Sequence, residues 1–161
     1  MAVATRIGLP GTSEPDSDPE IVDGLVQLST LVQAVLVQVT AGADLSVQQG
    51  RLLGILRDRE PTMAHLARFL STDKSSTTGL VDRATRRGLV RRVADPEDGR
   101  SSRVVLTAKG RHLTKVLEDE MARGVAALTA GLDDADRRRL SRLAGRVVAD
   151  VAAARGIDLS T

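Results

Sequence analysis

Three hydroxyl side chains, Ser75, Ser76 and Thr78, follow the turn-forming cluster Ser71-Thr72-Asp73 and precede the arginines Arg83, Arg86 and Arg87. Hydroxyls at this spacing suit two chemistries. They cap exposed backbone N–H groups at a helix start, or they bond phosphates and base edges in a DNA groove. A helix N-terminus adds a partial positive charge that draws phosphate, and Lys74 and the arginines extend the surface with cations. Thr77, Leu80, Val81 and Ala84 recur at helical spacing. They form the inward stripe, so Ser75, Ser76, Thr78, Gly79, Asp82, Arg83 and Arg86 face outward and Thr77 is structural.

These residues need a scaffold, and the flanking sequence supplies one. Met63, Leu66, Ala67 and Leu70 predict a short helix before the turn, and Gly88 stands where a helix starting at about Lys74 stops. The stretch Thr62–Gly88 therefore reads as a helix-turn-helix with its recognition helix at Lys74 to Arg87. After it, L-V-R-R-V and R-V-V-L-T flank the loop A-D-P-E-D-G-R-S-S, a hairpin signal with a projecting tip. This is a wing, with Asp98, Gly99 and Arg100 at its tip and Arg103 at the start of its second strand. Asp98 repels phosphate unless paired, and Arg83 or Arg100 is the expected partner; an ordinary turn aspartate is the alternative.

The remaining chain is helical. Residues 1–18 hold Pro10, Gly11 and Pro15 among Ser and Asp and are expected to be a disordered tail. Ile21, Leu25, Leu28, Val32, Val35 and Val39 step by four and three, a coiled-coil seam on a helix from about Pro19 to Ala41. A helix so apolar must pack on two neighbours or on another chain. Ser46 and Gln49 form a capping box for a helix reaching about Arg57. Thr107 is the expected N-cap of a helix to about Ala130, and Asp133-Asp134 opens a last one, whose arginines lie mostly away from its Leu140, Leu143, Val147 and Val151 stripe. The first and last two helices carry more apolar surface than one small winged domain covers, which predicts a homodimer. The expected organisation is a tail at 1–18, an N-terminal dimerisation helix at 19–44, a winged helix-turn-helix domain at 45–107 and C-terminal dimerisation helices at 108–161.

Composition narrows the function classes. Apolar residues make up 42% of the 161, enough for a core, but aromatics only 1%, so that core is Leu, Val and Ala and no aromatic platform stacks single-stranded bases. A net charge of +2 does not by itself argue for nucleic acid; the placement of the cations does. Cysteine is absent, which removes disulfides, thiol redox sensing and thiolate metal sites, and fits a reducing cytoplasm. No membrane span or signal peptide is expected. Two lone histidines, His65 and His112, make a weak metal case, and no metal or cofactor is expected. No phosphate-binding Gly-rich loop, G-x-S-x-G or H-E-x-x-H occurs, so no enzyme is expected.

The strings L-A-R-F-L-S-T-D-K-S-S-T-T-G-L-V-D-R, R-R-G-L-V-R-R-V-A-D-P-E-D-G-R-S-S and V-L-T-A-K-G, in that order, resemble the MarR family of bacterial transcription regulators. The resemblance runs from about residue 62 to 110; the D-P-x-D-x-R wing followed by L-T-x-K-G is its specific part. It implies an all-α fold with a small β-hairpin wing, a winged helix-turn-helix between N- and C-terminal dimerisation helices. It further implies a homodimer on a pseudo-palindromic double-stranded operator, a repressor released by a small-molecule effector, with recognition helices in the major groove and Arg100 in the flanking minor groove. On that footing Lys74, Ser75, Ser76, Thr78, Arg83, Arg86, Asp98, Gly99, Arg100 and Arg103 are the candidate DNA-binding residues, and His112 a candidate in the effector pocket. Ala84 departs from the usual Leu, and Gly79 stands where a base-facing side chain is common. The rival readings are a winged-helix protein-interaction module and a small-molecule-binding protein without an operator.

Overall fold

The computed structural model describes residues 18–96, 98 and 101–154. Six helices and one hairpin follow in the order α1 (Pro19–Gly42), α2 (Val47–Asp58), α3 (Met63–Leu70), α4 (Lys74–Arg86), β1 (Val90–Ala94), β2 (Ser102–Leu106), α5 (Ala108–Leu128) and α6 (Asp134–Ala154). The expected winged helix-turn-helix layout is present, all-α apart from its hairpin. The expected tail, up to residue 17, and the wing-tip residues Gly99 and Arg100 lie outside the described residues.

Local sequence accounts for the element ends. Ser46 accepts from the Gln49 amide at 3.2 Å while the Gln49 side chain takes the Ser46 N–H at 3.0 Å, a closed capping box. Thr62 caps α3, Asp73 caps α4 and Thr107 caps α5, each accepting from the amide three residues on. Asp133 does the same for the amide of Asp136 at 2.8 Å. Gly88 has φ +68°, a left-handed conformation that glycine adopts without strain and that ends the recognition helix. Ser71, in the same region at φ 52°, ends α3 and turns the chain toward α4.

The chain divides into two compact units, one of residues 30–130 and one of the described residues up to Ser29 and from Gly131 on. The first holds the core, where Leu52, Leu53, Leu66, Val81, Leu89 and Val104 are almost fully buried. The predicted inward stripe of α4, namely Thr77, Leu80, Val81 and Ala84, is buried throughout. The strands pair antiparallel, with Val90 opposite Leu106 and Ala94 opposite Ser102. Pro61 accepts the Val104 amide at 2.9 Å, so the residues before α3 run beside β2 and fasten the wing to the helix-turn-helix. Two glycines set helix distances: a Cβ at Gly110 would strike the carbonyl of Leu89, and one at Gly124 would strike Val35.

The second unit is largely solvent-facing. Ile21, Leu25 and Val26 of α1 and Leu143, Val147 and Val148 of α6 are exposed. Contrary to the sequence-based expectation, α1 is long and apolar enough to cross a membrane by length and composition. Its last turns, in the first unit, pack on protein: Val39 lies against the core, and Thr40 is buried with its hydroxyl on the carbonyls of Leu36 and Val37.

Candidate nucleic-acid interface

The exposed end of α4 is built on Asp73. Its carboxylate accepts the Ser76 amide at 2.8 Å and the Ser76 hydroxyl at 2.6 Å. The Ser76 hydroxyl, and after it the Ser76 amide, hold the Asp73 carboxyl below the usual carboxylate range. Two further hydroxyls are committed to the backbone: Thr77 to the Asp73 carbonyl at 2.9 Å, within reach of Thr72, and Thr78 to the Lys74 carbonyl at 2.8 Å. Of the three candidate hydroxyls, then, Ser76 serves the cap and Thr78 is turned back on its own helix. Ser75 meets the Asp73 carboxylate through its backbone amide only, and its side chain faces solvent.

The cations are arranged on the same exposed face. Lys74, Arg83 and Arg86 are all exposed. Arg83 lies back along the helix, with Nη1 3.3 Å from where a Cβ on Gly79 would stand. The glycine that looked like a missing contact is thus the space the Arg83 guanidinium occupies. Asp82 binds Arg92 of β1 at 2.7 Å, pinning the recognition helix to the wing.

The structure separates the wing residues into two roles. Arg103 is directed to the wing base, where its guanidinium meets the buried Asp95 at 3.0 Å. Ser101 donates to the same carboxylate at 3.1 Å. Asp98 is exposed at the tip, and its backbone carbonyl accepts the Ser101 amide at 2.9 Å; of its two expected partners, Arg83 lies over Gly79 and Arg100 lies outside the described residues. At the foot of α4, Arg87 donates to the backbone carbonyl and carboxylate of Asp44, and Lys109 of α5 donates to the Arg87 carbonyl at 3.0 Å. Sequence reasoning missed Arg87 in this role, because its partners lie 43 and 22 positions away.

A cavity of about 310 Å³ lies between α1, α2 and α5, walled by Leu36, Val39, Leu117 and Met121, with Arg51 and Arg57 on α2. Arg57 is held by Asp58 and Glu118 at 2.5 and 3.5 Å. Those partners, Asp58 first, raise the guanidinium's pKa, and Arg57 in turn holds the Asp58 carboxyl below the usual range. His112, expected in an effector pocket, is exposed and lines neither this cavity nor the one between α2 and α3. No group of three or more His, Cys, Asp or Glu residues able to hold a metal ion occurs among the described residues.

Residues 43–101 match the model of the MarR family. The transcriptional activatory protein BadR of Rhodopseudomonas palustris is 34% identical over 99 residues, which are 58% of this chain. Over this segment the chain is similar to the MarR family. It spans only about half of its curated relative, 55% of BadR. Solved structures extend the likeness in fold. RV1404 from Mycobacterium tuberculosis is 26% identical with a TM-score of 0.70, covering 91% of this chain and 99% of its own. NadR, solved in complex with 4-hydroxyphenylacetate, shares the fold at 24% identity and a TM-score of 0.69, covering 86% of this chain and 97% of NadR. The MarR family is one of transcription regulators and not of enzymes, and it includes ligand-binding members.

Proposed function

We propose that this chain is a MarR-family, cytoplasmic, homodimeric, sequence-specific DNA-binding regulator, a repressor released from its operator by a small ligand. One observation carries the DNA reading. The capped first turn of α4 presents Ser75 to solvent, with Lys74, Arg83 and Arg86 exposed along the same helix. Hydroxyls and arginines so placed bond phosphates and base edges in a major groove. The wing base, stiffened by Asp95 and Arg103, supports a tip whose Arg100 reads a narrow minor groove. The exposed apolar residues of α1, α5 and α6 support dimerisation, since surfaces of this kind mark interaction sites. The effector site is the cavity between α1, α2 and α5, by likeness to a family with a ligand-bound member.

The deciding experiment is a titration of operator DNA, selected from random sequence, with wild type and Arg100→Ala at several salt concentrations. A dimer uses Arg100 twice, so the variant should lose about 2–6 kcal/mol, at roughly 1–3 kcal/mol per good arginine contact. Its salt slope should become shallower by up to about two units. Equal affinity and equal slope in a folded dimer would remove the wing from the interface.

A further inference from the structure

Pairing divides the cations of this chain. Arg57, Arg87, Arg92, Arg103, Arg123 and Arg137 each meet a carboxylate. The side chains of Arg68, Lys74, Arg83, Arg86 and Arg91 hold no hydrogen bond, ion pair or ring contact among the described residues, and they stand on the helix-turn-helix and the first wing strand. That surface is the one read above as facing DNA. A second group is left open in the same way: Arg138, Arg139, Arg142 and Arg146 of α6, all exposed. Asp134 is bonded to Arg137, and neither Asp136 nor Asp150 is bonded to any of the four.

Helical spacing makes these four a row. Arg138, Arg142 and Arg146 follow at four-residue steps, so each rises about 6 Å beyond the last along one side of the helix, and Arg139 widens the row. Ala135, Gly145 and Ala149 share that side, so it offers guanidiniums and no large apolar side chain. Leu140, Leu143 and Val147 occupy the adjoining side. A lipid surface binds a helix through apolar side chains that enter it together with the cations, and this side has none. A flexible acidic peptide has to be ordered before it lines up with the row. A duplex presents its phosphates already fixed, one charge per about 1.7 Å of axis. The forked guanidinium is the donor that takes phosphate in two bonds.

We infer that the arginine row of α6 is a second DNA-binding surface, that it reads backbone phosphate without regard to sequence, and that it holds a duplex other than the one on α4. The row belongs to the compact unit that does not carry α4, which is why a separate duplex is its occupant. The inference goes beyond the regulator reading, because it needs neither operator nor effector.

The test loads the full chain with saturating operator, selected from random sequence, and titrates it with a labelled short duplex of unrelated sequence at several salt concentrations. Wild type should capture this second duplex, with a salt slope of up to about 3.6 units, at about 0.9 per phosphate for four arginines. The triple variant Arg138→Gln, Arg142→Gln, Arg146→Gln should lose capture by about tenfold or more and keep its operator affinity and melting temperature. The corresponding triple lysine variant should keep most of the slope, which counts charge, and bind somewhat more weakly. The inference is overturned by equal capture in wild type and the glutamine variant, by an equal loss of operator affinity in that variant, or by displacement of the second duplex by polyglutamate or anionic vesicles more readily than by unlabelled duplex. The variant Lys74→Gln, Arg86→Gln separates the two readings. With the face of α4 weakened, it should still bind the unrelated duplex through α6. Its binding in a chain that selects no operator would sink the regulator reading and leave this inference standing; operator binding by wild type without capture of a second duplex overturns this inference alone.

Discussion

Asp73 holds the recognition helix by its first turn, and two properties follow from its bonds to Ser76. Asp73→Ala should lower the midpoint of urea denaturation, as loss of an N-cap does. The second is pH dependence. Its carboxyl titrates below the usual range in the folded chain, so the cap's contribution is fully present above the unfolded carboxyl's pKa and is lost as pH falls through the lowered folded one. Comparing wild type and Asp73→Ala across acid pH should show the stability gap closing toward low pH; a constant gap would assign the effect to helix propensity alone. Gly110 offers a contrasting site, since an added Cβ strikes the Leu89 carbonyl. Gly110→Ala should destabilise by about 1–3 kcal/mol, the scale of overpacking, despite alanine's better helix propensity. The caps were legible in the sequence because a cap is a local pattern: Ser46 with Gln49, Asp73 with Ser76 and Thr107 with Gly110 are three residues apart. Arg83 filling the Gly79 gap was not, because that depends on a side-chain rotamer. Nor could sequence separate Gly54, which is open, from Gly50, which is packed.

At the scale of elements, the hairpin was legible from its β-branched runs and Pro/Asp/Gly loop, while the inward direction of Arg103 was not. Arg103 pairs across the strands with Val93 and also bridges to Thr62, so one side of its strand is covered by the approach to α3. Its charge is spent on Asp95, which is only 7% exposed. Arg103→Ala should therefore destabilise the domain, by about 1–2 kcal/mol after allowing for the arginine's partial exposure, because it takes the guanidinium away from a buried carboxylate that keeps its Ser101 bond. Chemical denaturation reads the loss, and the double variant Asp95→Asn, Arg103→Ala should recover part of it. In an operator titration Arg103→Lys should keep the salt slope of wild type, whereas Arg100→Ala should not. The helix-turn-helix itself was the most legible element, since the four buried residues of α4 are those its spacing predicted.

For the whole molecule, the outstanding feature is the apolar surface that the described residues leave exposed. Ile21, Leu25 and Val26 are each 59% exposed, and Val147 and Val148 each 58%. A dimer closing such faces should bury more than about 2,000 Å², the range of obligate assemblies. Sedimentation at micromolar concentration should give a dimer, and a chain beginning at Leu45 should lose both the dimer and its cooperative unfolding. The helices that form this surface were legible from their periodicity; their partners were not, because periodicity shows that a face is apolar and leaves open what meets it. One feature of the fold bears on how such a dimer would respond to a ligand. Arg87 is gripped by the loop after α1 through Asp44, and Lys109 of α5 grips the carbonyl of Arg87 in return. Thr107 adds a bond to the Gly88 carbonyl at 2.6 Å. The foot of the recognition helix is thereby a pivot shared by three segments, and the two walls of the aliphatic cavity, α1 and α5, are the arms that reach it. If a ligand spread those arms, the bonds at the foot would carry the displacement to α4, and Ser75, at the opposite end, would move farthest.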